Sequence, residues 1–208
     1  LTLHMAEAMS GYASSVSTVT LDQNSERLSD RLNILPVFLV INAAFMGLFI
    51  IAAYIFIDKD EGTIKAFVVT PARMWEYLLS KVGVILVTGM VTGLLTTVLV
   101  AGTKPNYLHL AVLLFAGNTF GSAVGLFIAS FYDNIMNSMG ALYSTVIIFG
   151  LAATSYLMPA FSPLVIRLLP SYPMLFAFRE AFLTSPDVGY IYQSAALFIV
   201  LGTVFFLM

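Results

Sequence analysis

Five stretches free of formally charged side chains divide this chain, and each is long enough to cross a bilayer. They cover positions 32–57, 82–103, 105–132, 134–166 and 188–208. A helix rising 1.5 Å per residue needs about 20 apolar residues to cross a hydrocarbon core of about 30 Å. The stretches are apolar nearly all round, and the Gly and Thr within them are residues that membrane helices accept. Strands would instead need short segments of alternating polarity, which are absent. Only 10% of the residues are charged and 60% are hydrophobic, whereas a soluble domain carries about 25% charged residues. So few charges cannot make a water-facing surface. The expected fold is an all-α polytopic integral membrane helix bundle, with spans at about 34–57, 82–102, 108–131, 140–158 and 190–208. A net charge of −2 gives no basic face for nucleic acid, and the absence of cysteine excludes disulfides and thiolate metal sites.

Residues 1–33 form a polar leader, extracytoplasmic on the topology given below. After a Ser/Thr-rich stretch at 14–20, Leu21, Leu28, Leu32 and Leu35 recur at helical spacing. This predicts an amphipathic helix at the membrane surface, with a partly ordered linker as the alternative. The chain begins at Leu1 without a basic-headed signal peptide and stops at Met208 inside an apolar run. The expectation is that a sixth span lies upstream of Leu1.

Residues 58–81 are the most charged part of the chain. Thr70-Pro71 divides them, because Thr favours the N-cap, Pro favours the first helical position, and the residue before Pro avoids helical geometry. The prediction is a short helix over 61–69 and a second helix starting at Pro71 and continuing into the second span. Trp75 and Tyr77 then fall at interfacial depth. In the third span Gly117, Gly121 and Gly125 repeat every four residues, with Ala129 continuing the stripe; small residues at that spacing let helix backbones approach closely. Pro159, Pro163, Pro170 and Pro173 interrupt residues 159–188. Met174, Leu175, Phe178 and Phe182 share one face there, which predicts short helices lying in or dipping into one interface.

Five spans place the two ends of the chain on opposite sides. Residues 58–81 hold Lys59, Lys65, Arg73 and Lys81, whereas the other side has Arg27, Arg31, Lys104, Arg167 and Arg179 over a much greater length. The positive-inside rule therefore assigns 58–81 to the cytoplasm.

No catalytic signature is present: no phosphate-binding G-x-x-x-x-G-K-[ST] loop, no G-x-S-x-G elbow and no H-E-x-x-H. His4 and His109 are far apart in sequence, and a lone His near an interface is more often a polar anchor than a ligand. Asp58, Asp60 and Glu61 lie beside two lysines at what reads as a helix start, where acids favour the dipole. Asp58 and Asp60 are expected to be solvated and structural. Carriers coupled to ions place ionisable groups within their spans, but these spans offer neutral ones: Asn42, Thr88, Thr92, Thr96, Asn118, Ser144, Thr145 and Gln193. Each is expected to bond a neighbouring helix, with a role in a substrate path as the sharper alternative.

Glu61-Gly62-Thr63, then Thr70-Pro71, then the run Tyr77-Leu78-Leu79-Ser80-Lys81 resemble the transmembrane subunit of type-2 ABC exporters. In that family an E-x-G-T-like element follows the second span, and a small residue plus Pro precedes the third. Here Glu61 and Gly62 are adjacent, a modest departure. The glycine-rich third span, the Tyr132-Asp133-Asn134 turn and the Pro-rich segment before the last span follow the family order across 34–208. The resemblance implies a six-span, non-enzymatic permease in the cell membrane of a bacterium (its inner membrane). It implies pairing with a second permease copy or paralogue and with cytoplasmic ATPase subunits that bind ATP and Mg, with no cofactor in this chain. Residues 61–69 would be the coupling helix, with Glu61, Gly62, Thr63 and Pro71 as ATPase-coupling residues. Residues 159–188 would be an outer re-entrant hairpin. The first and fourth spans would line the path, making Asn42, Tyr143, Thr154 and Tyr156 candidate substrate contacts. A secondary carrier or channel, or a lipid-modifying enzyme, are the alternatives.

Overall fold

The computed structural model describes residues 30–71, 73–103, 105–158 and 163–207. Nearly all of the polar leader, and residues 159–162, lie outside the described residues. Helices α1 (Asp30–Val40) and α2 (Gly47–Asp60) are joined by a π-helical turn, Ile41–Met46. They are followed by α3 (Thr63–Val68), α4 (Met74–Ala101), α5 (Tyr107–Phe131), α6 (Ile135–Leu157), α7 (Leu164–Leu168), α8 (Ser171–Glu180) and α9 (Val188–Leu207). Among the described residues there is no strand. Five segments of the described residues are long and apolar enough to cross a membrane: Leu32–Asp60, Met74–Ala101, Tyr107–Phe131, Ile135–Leu157 and Val188–Leu207. The chain is an all-α polytopic membrane helix bundle.

Span 1 begins before the expected position and runs beyond its expected end. Leu32 and Leu35 belong to the span itself: Leu35 is buried and Leu32 packs against the core. Their helical spacing, assigned above to a surface helix of the leader, is the buried stripe of a continuous helix. At the far end Asp58 and Lys59 find partners inside the bundle, so the helix does not stop at the first charge.

Asn106 and Asn134 start spans 3 and 4 by accepting from the backbone N–H of Leu108 at 3.1 Å and of Asn137 at 3.0 Å. Such caps satisfy donors that a helix start leaves open. The predicted start at Pro71 is not observed. Arg73 is extended (φ −87°, ψ 137°) and the helix begins at Met74. Thr70 Oγ1 donates back to the Phe67 carbonyl at 2.7 Å, closing the preceding helix instead of capping the next. Pro71 lies in the link between the two.

Span 3 is the axis of the bundle and packs against spans 1, 2 and 5. Over an 18-residue apolar stretch of each, spans 1 and 3 are 61% and 67% buried, whereas spans 2, 4 and 5 are 22%, 17% and 28% buried. The outer three therefore keep most of their apolar surface outside the chain's own packing. Lipid is as apolar as a leucine side chain, so the helices gain little from the hydrophobic effect and must gain from close contact. The glycines of span 3 supply it. A Cβ at Gly121 would stand 2.1 Å from the Ala44 carbonyl oxygen, and one at Gly125 would stand 2.3 Å from Ile51 Cγ2 and 2.6 Å from the Leu48 carbonyl oxygen. A Cβ at Gly117 would meet Met174 Cε at 2.1 Å. Gly121 thus lies against the backbone of the π-helical turn, and Gly117 makes room for the tip of Met174 from α8.

That last contact shows how α8 is placed. Met174, Leu175, Ala177 and Phe178 are buried, and the helix packs against α1, α5, α6 and α9. Its 10 residues reach about 15 Å, so it enters the bundle from one end without crossing it.

Candidate functional site

The charged segment between spans 1 and 2 is built as a braced corner. Asp58, in the last turn of α2, is buried. Its carboxylate accepts from the Tyr77 hydroxyl and pairs with Lys81 Nζ at 2.8 Å. Tyr77 and Lys81 stand one turn apart on α4, so both reach one acceptor. The ammonium of Lys81 also stands over the rings of Tyr54, at 5.2 Å, and Tyr77, at 5.5 Å. Asp58 is therefore neither solvated nor at a helix start, as its place in the sequence had suggested. It ties span 1 to span 2, which removes much of the cost of burying a carboxylate.

Lys59 points the other way. Its Nζ donates to the carbonyls of Ala129 at 2.8 Å and Tyr132 at 2.6 Å. These are carbonyls at the C-terminal end of span 3, where a helix lacks intrahelical donors and carries partial negative charge. One residue thus satisfies the end of the central helix while its neighbour fastens span 2.

Helix α3 hangs from this corner. Gly62, at φ +72°, reverses the chain after Glu61, a geometry that costs any L-residue roughly 1–2 kcal/mol. It also shortens the expected 61–69 helix to Thr63–Val68. Phe67 of α3 lies against the Tyr77 ring at 5.2 Å, and Ile64 packs beside it on the core. The opposite face is open: Glu61, Thr63, Lys65, Val68, Val69 and Pro71 are all exposed or nearly so. Of the expected coupling residues, Glu61, Gly62 and Thr63 cluster at the entry to α3, whereas Pro71 is in the exit link.

The expected path residues are not gathered into one site. Asn42 is buried in the π-helical turn and faces a cleft of about 160 Å³ shared with spans 2 and 3. Tyr143 is exposed and touches Phe49 at 5.5 Å between ring centroids. Thr154 bonds its own helix, at the Leu151 carbonyl. Tyr156 is buried near the opposite end, where its hydroxyl donates to Asn33 Oδ1 at 2.7 Å. That end holds a polar cavity of about 400 Å³ with Arg167, Arg179, Tyr172 and Phe176 in its wall. Between spans 1 and 4 lies a larger apolar groove of about 500 Å³, lined by Phe45, Phe49, Val146 and Phe149 among others.

The neutral polar groups also depart from expectation. Thr88, Thr92, Thr96 and Thr145 each donate to the carbonyl one turn back on their own helix, and so does Asn118 Nδ2. A short side chain on a helix reaches that carbonyl without any neighbour. The Thr92 hydroxyl, 3.3 Å from Asn42 Oδ1, makes a contact between helices. Ser144 and Gln193 are exposed.

Sequence reasoning passed over Asp58, Tyr77 and Lys81 as a unit. The available signal was the i, i+4 spacing of Tyr77 and Lys81 facing the first acid after an apolar run.

Five membrane-capable helices among the described residues, one of them the glycine-lined axis of the others, with a braced charged segment at one end, define a multi-pass membrane protein. Residues 6–208 match the family described as "Rv2686c-like: Fluoroquinolones export permease protein Rv2686c-like", and the chain belongs to it. Two similar curated proteins are the fluoroquinolones export permease proteins MT2761 and Rv2687c, from two strains of Mycobacterium tuberculosis. Each is 33% identical over 90 residues, which is 43% of this chain and 38% of the relative. The match thus spans well under half the length of either relative. No solved structure matches the chain.

Proposed function

We propose that this chain is the membrane-spanning part of an ATP-driven exporter in a bacterial inner membrane, energised by a separate cytoplasmic ATPase that binds ATP and Mg. A second permease copy or paralogue completes the transporter. The observation that supports this reading is the corner at residues 58–81. A short helix with an open outer face is joined through Phe67, Tyr77, Asp58 and Lys81 to spans 1 and 2, and Lys59 links the same corner to span 3. A push on α3 then moves three spans together, as an element with two discrete arrangements requires. The names of the relatives make a fluoroquinolone the first cargo to test.

The experiment is transport and ATP hydrolysis by the reconstituted complex, comparing the unaltered protein with Glu61→Ala and Gly62→Leu. Glu61 is exposed, and exposed substitutions in a merely solvated loop stay within about ±0.5 kcal/mol. Both variants are expected to insert and fold, and to hydrolyse ATP without exporting cargo. Full transport by both would remove the coupling role.

Orientation is tested separately. The sequence has no cysteine, so Lys65→Cys and Asn106→Cys can be labelled without background. Lys65→Cys is expected to react only from the cytoplasmic face and Asn106→Cys only from the other. Labelling of both from one side would overturn the topology.

A further inference from the structure

The end of the bundle opposite the braced corner holds the polar cavity of about 400 Å³. Span 4 supplies Tyr156, one residue before the end of Ile135–Leu157. Helix α7 supplies Arg167, and α8 supplies Tyr172, Phe176 and Arg179. These last three recur at i, i+4 and i+7, the spacing of one helix face. Met174, Leu175 and Phe178, on the other face of α8, are buried in the core. Packing of that face therefore turns Arg179 toward the cavity. The end of a span is the boundary between membrane and water, where amphipathic side chains and molecules collect.

The charge in this wall is of one sign. It holds two arginines and, among the described residues, no carboxylate. Both keep accessible surface: Arg167 is exposed and Arg179 is half-buried. Glu180, next to Arg179 in the chain, is engaged elsewhere, where its Oε2 accepts from the Asp187 backbone N–H at 3.4 Å. No carboxylate pairs with Arg179 among the described residues. The Arg179 charge acts on the Tyr156 hydroxyl, which belongs to the same wall, so the guanidinium stands at the cavity. A charge partly withdrawn from water calls for a counter-charge, and a recess lined by one sign concentrates ions of the other. A guanidinium meets a carboxylate or phosphate through two parallel N–H bonds. Beside the arginines is an aromatic surface. The Phe176 ring lies 4.6 Å from Tyr172 and 5.6 Å from Tyr156 between centroids. The volume falls among those of small-ligand sites, about 300–1,000 Å³.

We infer that this cavity is an oxyanion site, which takes the carboxylate or phosphate of an amphipathic molecule on Arg179 and Arg167. The apolar part of that molecule lies along Phe176 and the two tyrosines. One chemistry here has two sources: a small aromatic anion arriving from water, and the headgroup of an anionic lipid. Any part in export rests on the exporter reading; the preference for anions is a property of the cavity.

The test uses the full chain in phosphatidylcholine nanodiscs, without ATPase. The probes are 1-naphthoate, an aromatic carboxylate ionised at neutral pH, and 1-naphthamide, which keeps the ring and lacks the charge. Binding is measured by equilibrium dialysis, and each affinity is divided by that of Arg179→Gln in the same lipid, so that partition into the bilayer cancels. The ratio for naphthoate is expected to be about tenfold, which one hydrogen bond to a charged group supports. The ratio for naphthamide is expected to be about one, because the substitution leaves the aromatic surface in place. Should Arg179→Gln fail to fold, Arg167→Gln on the separate helix α7 reads the same ratio. Phosphatidylglycerol nanodiscs then separate the two sources. A naphthoate ratio that stays near ten assigns the site to a small anion; one that falls to about one only there assigns it to an anionic headgroup. A naphthoate ratio of about one in both lipids overturns the proposal. So does an equal loss for naphthoate and naphthamide, which would mean that Arg179 only closes the end of α8. Neither result bears on the coupling role of Glu61.

Discussion

Gly121→Leu is expected to lower the stability of the bundle by about 3 kcal/mol, the upper part of the usual range for overpacking a close contact. The motivating geometry is the 2.1 Å between an ideal Cβ and the Ala44 carbonyl oxygen, with Ala44 Cα and C both at 2.8 Å. These are main-chain atoms of a π-helical turn, so no side-chain rotation relieves the clash and the two helices must separate. Separation loses close contacts along the whole seam, the main source of association between helices in lipid. The neighbouring positions give a graded series. Gly125→Leu meets the Leu48 carbonyl oxygen and should approach the Gly121 effect. Gly117→Ala first meets Met174 Cε, the end of a flexible side chain, and should cost less. Gly83, around which nothing lies within 4 Å, is the control, and Gly83→Leu should change little. The measurement is the folded fraction after heating in detergent. Equal stability of the Gly121→Leu and Gly83→Leu variants would mean that the stripe faces lipid.

Asp58→Ala is expected to cost about 1–3 kcal/mol, the range for stranding buried hydrogen-bonding groups. It leaves the Tyr77 hydroxyl without its acceptor and Lys81 without its counter-charge. The figure stays below that for breaking a fully buried ion pair, because the Lys81 side chain is 27% exposed and its long stem lets the ammonium turn to water. Lys81→Met alone leaves Asp58 bonded to Tyr77 and should cost less than Asp58→Ala. The double variant should then be more stable than the sum of the two predicts, by about 1 kcal/mol, because the residues touch. Strict additivity would mean that the pair contributes nothing beyond its separate members. The same variants address function. If the corner carries motion, Asp58→Ala should weaken the link between ATP hydrolysis and export even where the folded fraction is restored by lower temperature.

The division of labour between sequence and tertiary structure follows from what each interaction depends on. The number and type of the spans were legible because they depend on the chain and the solvent alone. A run of about 20 uncharged apolar residues must bond its own backbone in lipid, and the helix is how one segment does so. The stripe of Gly117, Gly121 and Gly125 was legible as a packing surface for a similar reason, since its spacing is a property of one helix. What it packs against was not legible. That Gly121 lies on a π-helical turn, and that Gly117 receives Met174 from a helix beyond span 4, depends on which helices become neighbours.

Polar groups were hardest to place from sequence. Asp58 looked like a solvated acid because its partners, Tyr77 and Lys81, stand on the next span, and its burial exists only once spans 1 and 2 are antiparallel. The threonines were expected to bridge helices, yet a hydroxyl on a helix has an acceptor one turn back wherever the helix is placed. Asn42, Tyr143, Thr154 and Tyr156 were grouped by the spans they stand on, but rotation about each helix axis sends them to different faces. The amino-acid sequence by itself therefore determined that this protein is a helical bundle in a membrane and which helix can be approached closely. The tertiary structure decided which charges are paired, how each helix is rotated about its own axis, and that the Asn118 amide packs against Gly89 of the neighbouring span. Those outcomes depend on contacts between residues distant in sequence, and a local pattern such as the i, i+4 spacing of Tyr77 and Lys81 offers partners without fixing which acid they meet.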